Sequence, residues 1–150
     1  KARARVYNVF KKHALRLGQS LNLPEDHLSF ECDFMAVLAE RTKERLAEGD
    51  DAEALRLLTT QRSFLARHIA SFAQLALSLS KERFYHGALE FAQDFFALDA
   101  DLLDDAIAAV EDETGLRAED VVLDMEWLET PPRDDEAGRA GDEAWKVASC

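Results

Sequence analysis

The stretch LTTQRSFLARHIASFAQLALSL, residues 58–79, decides the fold. Within it Leu58, Gln61, Leu65, His68, Phe72, Leu75 and Leu79 recur at alternating intervals of three and four. That spacing is the seam of a helix packed along its length against other helices. A strand needs alternation at two, and this stretch has none. Gln61 and His68 are the polar members of the seam, two turns apart. In that position they are expected to be satisfied core groups, which specify helix register by requiring particular partners.

Helical punctuation continues on both sides. Upstream, Gly49 stops one helix and Asp50 or Asp51 caps the next, which reaches about Ser80. The preceding helix opens at Pro24, a residue suited to a first helical position, with Glu25 and Asp26 complementing the positive end of its dipole. It runs to about Ala47. Before it, Val6, Tyr7, Phe10, Ala14 and Leu17 mark a helix over roughly Arg3–Leu17, stopped by Gly18. Downstream, a fourth helix is predicted from near Lys81 to Leu98. Phe84, Tyr85, Ala88, Leu89, Phe91, Ala92, Phe95 and Phe96 give it a broad apolar face. Asp99 is read as the cap of a fifth helix that ends at about Glu113, before Gly115. No segment has the β-branched alternation of a strand. The expectation is an all-α bundle of about five helices over residues 1–113. An acidic tail, 114–150, follows, with a short helix near 118–128 and a disordered remainder beyond Pro131-Pro132.

The chain has 150 residues, 47% hydrophobic and 32% charged, which is enough for a domain with a core of its own. Eighteen basic and thirty acidic side chains leave a formal charge of −12. Nucleic acid is thereby disfavoured as a partner, because a phosphate backbone is bound by neutralising it. The charge is uneven: +6 over residues 1–22, −5 over 23–98 and −13 over 99–150. Cationic or mixed-charge ligands suit such a protein. No apolar run approaches the roughly 20 residues that span a bilayer, and no secretory signal opens the chain. The two cysteines, Cys32 and Cys150, suggest no disulfide framework, so the cytoplasm is the expected location. The first residue is Lys1 and not Met, which suggests a fragment of something longer.

The informative chemistry lies where an apolar stripe is interrupted. On the second helix Leu28, Cys32, Met35, Ala39 and Leu46 fall in one line, widened by Phe34 and Leu38. Glu31 falls inside that arc and not on the polar face. A carboxylate there costs several kcal/mol unless it is hydrogen-bonded or protonated. His27, four residues earlier, is a natural partner. Two readings are open: a buried His–Glu pair that fixes packing, or an exposed mouth where Asp26 and His27 meet a ligand while Glu31 holds the imidazole from behind.

Catalysis finds no comparable candidate. Helical di-metal sites use Glu-x-x-His pairs, and none occurs. Glu82, His86 and Glu90 are stacked at intervals of four, yet they lie opposite the Phe84/Ala88/Phe91/Phe95 stripe and are expected to be solvated. There is no Gly-rich phosphate loop, no arrangement suggesting a Ser-His-Asp triad, and no activating context for Cys32. No enzyme activity, metal or cofactor is expected.

Leu23-Pro24-Glu25-Asp26-His27-Leu28-Ser29-Phe30-Glu31-Cys32-Asp33-Phe34-Met35 resembles the Pro-x-Asp-His-x-x-x-Glu-x-x-Phe-Met signature of TorD/DmsD-type redox-enzyme maturation chaperones. Gln61-x-x-Phe64-Leu65-x-x-His68-Ile69 is similar to the family's Gln-x-x-Phe-x-x-x-His-Leu run, and Phe72 stands where members often have tryptophan. The resemblance covers roughly residues 6–98 and leaves the acidic tail unexplained. It implies a cytoplasmic all-helical chaperone, not an enzyme. Such a protein binds the twin-arginine leader of a molybdopterin-containing reductase of the DMSO or TMAO reductase type until the cofactor is inserted, before Tat export. It points to Pro24, Asp26, His27 and Leu28 as leader-binding residues, supported by Glu31, Phe34, Met35, Gln61, Phe64 and His68. It also implies possible dimers by subdomain exchange and an amino-terminal half of the fold that precedes this chain. Two guanidinium groups followed by an apolar stretch need acceptors beside an apolar groove, which Asp26 among Leu23, Leu28, Phe34 and Met35 would supply. The alternative is a generic helical adaptor or regulatory module.

Overall fold

A computed structural model describes Val6, Asn8, Phe10, Lys11, His13 and residues 27–121. Among these residues there is no strand. Among the described residues, three long helical rods and one short turn are seen from Leu28 onward, against the five helices expected of the bundle. The first rod is α1, Leu28–Glu48. The second comprises α2, Asp51–Phe64, a π-helical segment, Leu65–Ala70, and α3, Ser71–Leu79, without a break. The third is α4, Arg83–Thr114, followed by a 3-10 turn at Ala118–Asp120. Of the predicted first helix, Val6, Asn8, Phe10 and Lys11 are helical. Residues 122–150, with most of the predicted short helix and tail, lie outside the described residues.

The punctuation around α2 is local chemistry. Gly49 takes φ 74°, where a side chain would be strained. Its N–H donates to the Leu46 carbonyl at 3.1 Å, and the Asp50 N–H donates to that of Arg45 at 2.9 Å. This pair of bonds is the Schellman closure of α1. Asp50 then caps α2, its carboxylate accepting the Glu53 N–H at 3.3 Å. At the far end Gly115, φ 75°, stops α4. Glu111 reinforces that stop by accepting the Ala118 N–H at 2.7 Å.

Two expected boundaries move. Asp99 caps nothing, because α4 runs straight through it. A single Asp without Gly or Pro beside it costs a helix interior only a fraction of a kcal/mol. The second helix begins at Leu28 and not at Pro24; His27 is non-helical, and its carbonyl accepts the first helical N–H, from Phe30, at 2.9 Å.

Two faces also move. On α1 the line Leu28, Cys32, Met35, Ala39, Leu46 is half-buried or exposed throughout. The buried side is Phe30, Glu31, Phe34, Leu38 and Thr42, about a quarter-turn away. Two phenylalanines bring more apolar area than a line containing Cys and Ala, so they take the interior. On the second rod Leu58, Gln61 and Leu65 are buried as expected, but the seam then passes to Ile69 and Ala73. His68 is only half-buried, and Phe72, Leu75 and Leu79 are exposed. The π segment explains the slip: its wider turn holds an extra residue and moves every later side chain one position out of phase.

The described residues divide into two compact units, one ending at Phe34 and the other beginning at Met35. In the first, Phe34 packs against Phe10 at 5.2 Å between ring centroids and edge-on to buried His13 at 5.3 Å. In the second, α2 and α3 pack on α4. Ala54, Leu55, Leu57, Leu58, Phe64, Leu65, Ile69 and Ala73 supply one side of its core, and Phe96, Leu103 and Val110, spaced by seven along α4, supply another.

Candidate functional site

The predicted site residues fall at two places, one in each unit. Pro24 and Asp26 lie outside the described residues. His27 is exposed at the N-terminus of α1, and Leu28 beside it is half-buried. The Ser29 N–H donates to His27 Nδ1 at 3.3 Å, and the Ser29 hydroxyl lies 2.7 Å from the same nitrogen. A backbone N–H can only donate, so Nδ1 is the acceptor and the neutral ring carries its proton on Nε2. His27 thus occupies an orphan donor of the first helical turn, as an N-cap side chain does. The Phe30 ring meets the imidazole edge-on at 6.1 Å.

One turn later Glu31 is only 5% exposed. Its backbone N–H reaches the His27 carbonyl at 3.3 Å, and the residue is not without a partner. Phe34 is interior, and Met35 is half-buried at the start of the second unit. Asp33 and Cys32 face outward.

Within the second unit, Gln61, Phe64 and His68 follow one another along the second rod. Gln61 is buried, and its amide donates to Thr42 Oγ1 at 3.0 Å and to the Leu57 carbonyl at 3.3 Å. Thr42 passes the chain on, donating to the Leu38 carbonyl at 2.8 Å. The Gln61 amide nitrogen and the Thr42 hydroxyl thus both have partners, which removes much of the cost of burying them. Phe64 is interior, and the His68 ring stacks on it at 4.8 Å with 22° between planes. His68 sits inside the π segment, where wider turns commonly accompany functional side chains.

Three residues escaped the sequence reading. His13 is buried against Phe34; its three-residue spacing from Phe10 was the available signal. Thr42 reads as a surface residue until Gln61 reaches it. Arg62 donates from Nε to Asp104 at 2.7 Å, tying α2 to α4, and that hydrogen bond raises the guanidinium above its ordinary value. The pair is solvent-exposed, so it orients more than it stabilises. Asp99 also departs from the ordinary range, upward, because burial penalises its charge.

Glu82 and Glu90 are exposed, and His86 stands 3.7 Å from Glu90, a loose surface pair. Among the described residues no cluster of three His, Cys, Asp or Glu side chains is suited to a metal ion. No helix among them is long and apolar enough to cross a membrane.

Similarity to known proteins coincides with this geometry. The family model described as "Nitrate reductase delta subunit" matches residues 1–77, just over half of the chain and a span that contains both places. A protein of Vibrio vulnificus strain YJ016 named "Chaperone protein TorD" is 33% identical over 97 residues, 62% of this chain and 44% of that relative. One of the same name from Vibrio cholerae serotype O1 strain O395 is 28% identical over 103 residues, 66% of this chain and 46% of the relative. The chain belongs to the TorD-type chaperone family. It spans less than half the length of these curated relatives. No solved structure matches it. Within the TorD-type family, the described end of the Pro-x-Asp-His motif of this chain is an exposed helix-capping histidine.

Proposed function

We propose that this chain serves as a chaperone in the maturation of a molybdenum-containing redox enzyme, not as a catalyst. It binds the twin-arginine leader of a DMSO- or TMAO-reductase-type precursor in the cytoplasm, and holds the precursor while its cofactor is inserted and before Tat export. Membership in a family whose relatives are named chaperones supports the role. The observation that carries the site is His27, exposed and held by Ser29 at the first turn of α1, with Leu28 half-buried beside it. An imidazole so braced presents its Nε2–H outward as a donor for a carbonyl of the leader, while Asp26 next in sequence supplies the anionic acceptor that guanidinium groups need. Glu31, Phe34 and Met35 on α1, and Gln61, Phe64 and His68 on the second rod, are the supporting residues of this reading. Leaders are mobile before binding, so ordering them consumes part of the interaction energy and moderate affinity is expected.

Titration of the chain with a synthetic twin-arginine leader and with its Arg-to-Gln counterpart tests the proposal. Binding of the first that falls at least about tenfold in the second is expected, since charge-assisted hydrogen bonds are lost. Asp26→Ala and His27→Ala should each weaken leader binding with helical content nearly unchanged. Equal binding of the two peptides, or no binding of either, overturns the reading. A variant that unfolds assigns that residue to structure instead.

A further inference from the structure

In the second unit, α4 carries a long apolar row that is exposed among the described residues. Phe84, Ala88, Phe91, Phe95, Leu98 and Leu102 recur at alternating intervals of four and three, the spacing of a packed seam. Yet Phe84 is 80% exposed, Phe91 73% and Phe95 54%. The residues that α4 buries, Phe96, Leu103 and Val110, lie about a third of a turn away. One helix therefore carries two apolar rows, one in the core and one facing out. The outer row extends roughly 27 Å from Phe84 to Leu102 at helical rise.

Its open edge is charged. Glu90, Asp94, Asp101 and Asp105 form an exposed row alongside the apolar strip, on the side away from the buried one. In α4 as a whole there are nine acidic side chains and one basic, Arg83. Asp104 is engaged by Arg62, whose charge Asp101 also feels, and Glu111 by Arg117; among the described residues the rest of the row at the edge of the strip meets only the loose contact of His86 with Glu90.

We propose that this strip is a docking surface for an amphipathic helix of another protein, bearing an apolar stripe at three-four spacing and Lys or Arg along one edge. The strip matches about five turns of such a helix in length, and its acidic border supplies the complement to the basic edge. A second copy of this chain paired antiparallel through α4 fits poorly, because that pairing brings the two acidic rows together. An anionic membrane surface is repelled by the same row. The surface lies wholly within the second unit and does not depend on the leader-binding reading of His27.

The probe is a fluorescent Leu/Lys peptide of about 18 residues, with Leu at three-four spacing. A scrambled peptide of the same composition and a Leu/Glu counterpart serve as controls, with anisotropy measured on the full chain. Saturable one-to-one binding is expected, weakened at least about tenfold in both controls and in the double variant Phe91→Ser with Phe95→Ser. Asp94→Lys with Asp101→Lys should weaken it as well, and circular dichroism and the unfolding midpoint confirm that both variants fold. Equal binding of the scrambled peptide, or full binding by either folded variant, overturns the proposal. So does displacement of the probe by a twin-arginine leader, since the two sites would then be one. Sedimentation of the chain as a dimer that Phe91→Ser dissociates also overturns it, by assigning the strip to a second copy.

Discussion

The junction of α1 and α2 and the outer strip of α4 invert the usual expectation about which side chains go inside. At the junction an amide and a hydroxyl, Gln61 and Thr42, are buried. On the strip, aromatic rings face solvent. Polarity alone does not separate these regions; the availability of a partner does. Gln61 finds Thr42 and the Leu57 carbonyl, and Thr42 finds the Leu38 carbonyl, so the amide nitrogen and the hydroxyl go inside with their bonds made. Phe91 and Phe95 have the right spacing and no second surface within the described residues to meet. A seam read from spacing declares that a face can pack, while its occupant is a separate fact.

The largest effect tests the register slip that separates buried from exposed residues along the second rod. Deleting Thr59, inside α2, should rotate the two ends of the rod by about 100° and abolish cooperative thermal unfolding. Deleting Ala66, inside the π segment, should remove the extra residue, keep Ile69 and Ala73 inward, and preserve a cooperative transition. Equivalent damage from the two deletions would show that the π turn is not the source of the slip.

Truncating the same residue type in the two environments comes next. Phe64→Ala should cost about 3–5 kcal/mol in chemical denaturation, because it empties a packed interior and removes the ring on which His68 stacks. Phe91→Ala should change stability by no more than about 0.5 kcal/mol. A large loss at Phe91 would mean that the strip is covered within the chain itself.

Gln61→Ala measures the polar side of the comparison. It removes a donor from Thr42 and leaves a small cavity, and a loss of about 1–3 kcal/mol is expected. Adding Thr42→Ala should cost less than the sum of the single changes, since the two act as one relay.

The smallest effect concerns Asp99, whose carboxyl is pushed above its ordinary value of 3.8 by burial. The folded state therefore holds this proton more tightly than the unfolded chain. The resulting penalty is absent below the unfolded value, grows as pH rises through the folded one, and is complete above it. Asp99→Asn should accordingly raise the unfolding midpoint slightly at pH 7, with the gain vanishing below about pH 4. A gain that persists unchanged in acid would assign it to something other than the charge.

Much of this molecule follows from nearest neighbours along the chain, and those parts were readable without coordinates. Gly49, Asp50 and Gly115 act through dihedral freedom and capping bonds confined to a few residues, so helix ends there were legible. Helical class followed from three-four spacing, and the burial of Glu31 followed from its angular position among apolar neighbours. The family motif around His27 was legible for the same reason, being a local string of residue types. Only tertiary structure decided which α1 face turns inward, whether Asp99 breaks a helix, and where the seam runs after Leu65. Each of these depends on what lies opposite: two phenylalanines outweigh a line with smaller side chains, α4 packs against α2 and α3, and one π turn shifts all that follows. Periodicity is a property of one helix, whereas burial is a property of at least two, and that is why the first could be read from residues alone and the second could not.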